Sequence, residues 1–85
     1  MSGDFPYELT EHAAHVVNER EIPLDWVKTV LENPQWLEPD REDPSILHAL
    51  GQVAEFGGRV LRVVYRREPS IQIVTVFFDR KRKSL

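Results

Sequence analysis

The chain contains no cysteine. That excludes a disulfide-stapled scaffold, a thiolate metal site and a cysteine nucleophile. Long apolar runs are missing too, and none approaches the roughly 20 residues that a membrane-spanning helix needs. Met1-Ser2-Gly3-Asp4 lacks the positive and then apolar regions of a signal peptide, so a soluble, cytoplasmic protein with no membrane association is the expectation. Glycine is scarce. Gly51, Gly57 and Gly58 lack the lysine and the spacing of a phosphate-cradling loop, and no Gly-x-Ser-x-Gly elbow occurs. His12, His15 and Glu19 share one polar helix side at metal-like spacing, but a zinc site needs four ligands, or three and a water. Solvated histidines are the expected reading. His48, flanked by Leu47 and Ala49, has nothing beside it that argues for a ligand. Neither a metal nor a cofactor is expected.

What the chain does have is segregated charge. Residues 1–58 carry twelve acidic and three basic side chains, a net of −9, whereas residues 59–85 carry eight basic and two acidic ones, a net of +6. Such a division suits an anionic partner, or two patches that meet in a homodimer. The chain's 85 residues make one domain, with residues 1–8 and 80–85 expected to be flexible. A chain this short buries only about 60% of its unfolded surface, so its core is thin.

Thr10 is a good N-cap, and Ala13, Val16 and Val17 recur at helical spacing from Glu11 to about Arg20. Ile22-Pro23 ends that helix, and Pro23 suits the first turn of a second. Leu24, Val27, Val30 and Leu31 give the second helix one apolar face, and Asn33-Pro34 stops it. Gln35 to Glu38 reads as a brief edge strand or an extended connector, and Pro39 to Pro44 as an acidic loop. Ile46 to about Glu55 reads as a strand interrupted near Gly51. Gly57-Gly58 signals a two-residue hairpin turn.

The richest stretch is Arg59–Lys83. Val60 to Tyr65 and Ile71 to Phe78 are dense in β-branched and aromatic residues, with a turn at Glu68-Pro69. Pairing across that turn sets Arg66 opposite Ile71, Val64 opposite Ile73 and Arg62 opposite Thr75. Leu61, Val63, Val74, Val76 and Phe78 then face the helices. Arg62, Arg66 and Thr75 share the other face with Val60, Val64, Ile71, Ile73 and Phe77. Two arginines on one strand face suit a phosphodiester, because each guanidinium donates two parallel hydrogen bonds. Phe77 or Tyr65 is placed to stack on a base. Arg80 and Arg82, in the basic run to Lys83, join Arg62 and Arg66 as RNA-binding candidates. The alternative is that these arginines pair with the acidic side chains of residues 38–43 and guard the sheet from aggregation.

Leu9-Thr10-Glu11-His12-Ala13, Asn18 to Pro23 and Val30 to Pro34 resemble an uncharacterised family of small bacterial and phage proteins. So do the strands Leu61 to Tyr65 and Val74 to Phe77. That family is likened to RelE-type and BrnT-type toxins. The resemblance implies an RelE-like α+β fold and RNA as the substrate class. By position it makes His12 the acid/base group, Arg62 the phosphate binder, and Tyr65 or Thr75 an accessory hydrogen-bonding group. Ribonuclease chemistry needs a proton acceptor, a donor and a cation at the phosphate. The expected architecture is therefore two N-terminal helices on a three- to four-stranded antiparallel sheet. The expected function is RNA binding with cleavage as the candidate activity, and an antitoxin-like protein partner. The competing expectation is a non-catalytic interaction module, as a homodimer or with another protein.

Overall fold

A computed structural model describes residues 5–81. Arg82 and Lys83, the end of the basic run, lie outside the described residues. The order of elements is β1 (Glu8–Leu9), α1 (Glu11–Glu19), α2 (Leu24–Glu32), β2 (Trp36–Pro39), β3 (Ile46–Val53), β4 (Arg59–Arg66) and β5 (Gln72–Phe78). Both helices start and stop where the caps require. The Thr10 side chain accepts from the Ala13 N–H at 3.0 Å, Pro23 precedes the first turn of α2, and Asn33 ends it.

The sheet has five strands in the order β1-β5-β4-β3-β2. This corrects the expectation of three or four antiparallel strands. β1 pairs with β5 in parallel, Glu8 beside Gln72 and Leu9 beside Ile73, so the sheet is mixed. Two residues are too few for a periodic signal, which is why the strand is silent in the sequence. Leu9 is consequently a strand residue directly before the α1 cap.

The helices cover one face. Ala13, Ile22, Val27, Val30 and Leu31 pack on Ala49, Val53, Leu61, Val63, Tyr65, Ile73 and Val76, with Phe5, Tyr7 and Phe78 at the margin. β3 is not interrupted at Gly51; the glycine lies under α2. A Cβ there would stand 3.2 Å from Val30 Cγ2, so glycine allows the helix its close approach. The second face is apolar at its centre as well. Leu50, Val60 and Val64 are all buried yet lie outside the helix-side cluster.

The β4–β5 register also departs from expectation. Arg62 lies opposite Phe77, Val64 opposite Thr75 and Tyr65 opposite Ile73, with a bulge that leaves Val74 as the extra residue. The turn spans residues 67–71 instead of two residues, with a cis peptide at Glu68–Pro69. Ile73 therefore faces the helices beside Tyr65, in place of the expected Val74, while Leu61, Val63, Val76 and Phe78 keep the face expected of them. None of the described helices is long and apolar enough to cross a membrane.

Candidate functional site

The face away from the helices carries the polar chemistry. Strand pairing sets Leu50 opposite Arg62, and His48 opposite Val64, so His48 and Arg62 are diagonal neighbours on adjacent strands. Arg62 Nη1 donates to His48 Nδ1 at 2.6 Å. His48 Nε2 lies 2.8 Å from Asp40 Oδ1. Since a guanidinium only donates, Nδ1 must be the bare nitrogen and Nε2 must carry the proton given to Asp40. Arg62 Nε and Nη2 both donate to Asp79 Oδ2, at 3.1 and 2.5 Å. Glu38 Oε1 stands 3.7 Å from Nη1.

Local structure holds each member. Asp40 directly follows β2, and its second oxygen accepts from the Glu42 and Asp43 N–H groups, closing an Asx-type turn. The hydrogen bond from His48, followed by those two backbone donors, holds the Asp40 carboxyl below the usual carboxylate range. Asp79 leaves β5 with its N–H on the Val60 carbonyl at 2.8 Å, and its Oδ1 accepts from Lys81 N–H. An open groove of about 420 Å³ lies over this network, lined by His48, Arg62, Phe77, Asp79, Arg80 and Lys81. The Arg62 guanidinium sits 5.8 Å from the Phe77 ring centroid, and Phe77 is exposed.

The expected site residues divide. His12 reaches the sheet edge from α1, with Nε2 3.1 Å from Thr75 Oγ1. Thr75, opposite Val64, shares the face of Arg62. His12 and Thr75 are thus brought together, while the hydrogen bonds of Arg62 go to His48 and Asp79. Tyr65 is buried in the helix-side core, on the opposite face from Arg62. Arg66 lies opposite Ile46 and reaches Asp43 at 3.9 Å. Arg80 is exposed at the groove, and Arg82 lies outside the described residues. His15 pairs with Glu19 at 3.3 Å, with both side chains in solvent.

The residues that sequence reasoning missed are His48, Asp40 and Asp79. Finding His48 depends on the β3–β4 register, and a two-residue turn at Gly57-Gly58 gives the wrong one. Ala54–Phe56 coils into a 3₁₀ turn first, so Val53, not Phe56, lies opposite Arg59. A shift of three residues reverses which side chains share a face.

A model of a domain of unknown function, DUF4258, matches residues 9–78. The chain belongs to the DUF4258 family. The match runs from β1 to the last residue of β5, so it takes in His12, His48, Arg62 and Thr75 and stops one residue before Asp79. No curated protein and no solved structure matches the chain.

Proposed function

We propose that this DUF4258 protein is a small RelE-like RNA-binding protein that cleaves RNA on the sheet face opposite its helices. The observation that carries the reading is the chain of contacts Asp40–His48–Arg62, of which His48 and Arg62 line the groove. Asp40 fixes the tautomer in which Nδ1 is the free base, the same logic by which a carboxylate orients a catalytic histidine. In the free protein that base is covered by Arg62. A phosphodiester that draws the guanidinium toward its own oxygens uncovers Nδ1 beside the ribose. His48 then takes the 2′-hydroxyl proton, the 2′-oxygen attacks phosphorus, the P–O5′ bond breaks, and the imidazolium returns the proton to the leaving oxygen. Arg62, Arg80 and Lys81 supply cations at the phosphate, and exposed Phe77 supplies a stacking surface for a base.

Single-stranded oligoribonucleotides test this. Arg62→Ala, with circular dichroism unchanged, should abolish cleavage and weaken binding; His48→Ala should slow cleavage about 100-fold or more while leaving affinity nearly intact. Undiminished cleavage by both variants overturns the reading.

A second reading has its own support. The carboxylates of Glu38, Asp40 and Asp79 match the cations Arg62, Arg80 and Lys81 in number, and Phe77, opposite Arg62, is an exposed apolar side chain. A charge-balanced, partly apolar face suits a non-catalytic interaction module, as a homodimer or with another protein. Binding to RNA that falls steeply with salt, about 0.7 in log K per phosphate contact for each decade, supports the first reading. Dimerisation by light scattering with no RNA binding at low salt supports the second.

A further inference from the structure

The arginine at the centre of the groove already has an anion. Asp79 and Arg62 are 12% and 16% exposed at their side chains, so this is a partly desolvated pair, not a loose surface contact. Its geometry is asymmetric. Nε and Nη2 form the edge of a guanidinium that ordinarily meets two oxygens side by side. Here both converge on Oδ2, while Oδ1 is turned away to the Lys81 N–H. The edge is therefore engaged by one oxygen where an oxyanion offering two would satisfy it better. The pair borders the open groove, and Arg80 and Lys81 follow Asp79 directly, with Arg80 and Lys81 both exposed.

We infer that the Nε–Nη2 edge of Arg62 is a phosphate-oxyanion site held shut by the chain's own Asp79. The residue acts as an internal competitor, placed where the ligand phosphate would bind, and it rests on the RNA reading only for the identity of the natural oxyanion. A purely structural bridge would tie the end of β5 to β4 and nothing more, so neutralising Asp79 would then weaken the fold and bring no new affinity. A competitor, once neutralised, leaves the guanidinium edge open to an incoming anion. Removal of a charge-assisted contact of this kind corresponds to a gain of about tenfold or more in anion affinity.

Inorganic phosphate and a single-stranded oligoribonucleotide serve as probes, read by the Arg62 Nε–H resonance and by anisotropy. Asp79→Asn should bind phosphate at least about tenfold more tightly than the wild type, and Arg62→Ala in the Asp79→Asn background should lose that gain. In the wild type, saturating phosphate should shift the Arg62 Nε–H and the Asp79 carboxyl carbon together. Equal or weaker phosphate affinity in a folded Asp79→Asn, or a wild-type carboxyl carbon that stays still while phosphate binds, overturns the inference. Should Asp79→Asn fail to fold, Asp79→Ser and the wild-type titration carry the same test. If Asp79→Asn gains phosphate affinity but no variant binds RNA, the oxyanion site stands and the RNA reading falls. If RNA binds through Arg62 but Asp79→Asn gains nothing, the RNA reading stands and the competitor falls.

Discussion

At the residue scale, Arg62 joins Asp79, His48 and Glu38 on one face of the sheet. Its guanidinium meets a carboxylate on one edge and an imidazole on the other, so its position is fixed before any ligand arrives. Asp40 does comparable work from behind His48. A carboxyl whose pKa is lower in the folded chain stabilises the fold above its unfolded value, and that contribution disappears as the pH falls through the lowered value. Asp40 is such a group, through His48 and then the Glu42 and Asp43 amides. Stability against urea should therefore decline below about pH 5, and Asp40→Asn should flatten part of that decline. A pH profile of the urea midpoint unchanged by Asp40→Asn would refute the argument. Under the cleavage reading, Asp40→Asn should also lower the rate with little change in affinity, because it releases the tautomer of His48 and not the phosphate contacts.

At the scale of elements, two small residues decide how the helices meet the sheet. Thr10 accepts from Ala13 N–H and donates to the Val74 carbonyl at 3.0 Å, so one hydroxyl caps α1 and binds it to β5. Thr10→Ala should cost about 1–2 kcal/mol in urea unfolding, and Thr10→Ser much less. Gly51→Ala places a methyl 3.2 Å from Val30 Cγ2, and α2 must yield. That strain should cost about 1–3 kcal/mol, and a midpoint equal to wild type would show that the helix shifts freely. These same elements mark what the sequence could tell. The two helices, their caps and the β4–β5 hairpin are written in periodicity and proline placement. The face assignments are not, because they depend on parity. The 3₁₀ turn at Ala54–Phe56 and the bulge at Val74 each change the parity without a residue that announces it. Thus Arg62 could be identified from its strand, whereas its partner His48 could not.

At the scale of the molecule, part of the charge segregation of the sequence is neutralised across one face of the sheet. Acidic residues of the 38–43 segment lie against Arg62, Arg66 and His48, which is the pairing that the non-functional alternative anticipates. Both faces of the sheet carry buried apolar side chains, so the polar network sits on a second, smaller core. Leu50, fully buried on the Arg62 face, tests this. Leu50→Ala should cost about 2–5 kcal/mol, similar to Leu61→Ala under the helices. A loss well under 1 kcal/mol would mean that the second face gains little from burial.

The parallel pairing of β1 has a consequence for the order of assembly. From β2 to β5 every strand neighbours the next in sequence, so these contacts form with short loop closures. β1 and the α1 cap join β5 across a separation of 64 residues and so carry the greatest closure entropy. The N-terminal segment is the natural last piece to dock and the first to release. Native-state hydrogen exchange should show it: the Thr10 amide, bonded to the Ile73 carbonyl at 3.0 Å, should open at a lower free energy than the amides of the β3–β4 ladder. The molecule would then breathe from that edge, where His12 meets Thr75, while the Arg62 network stays closed.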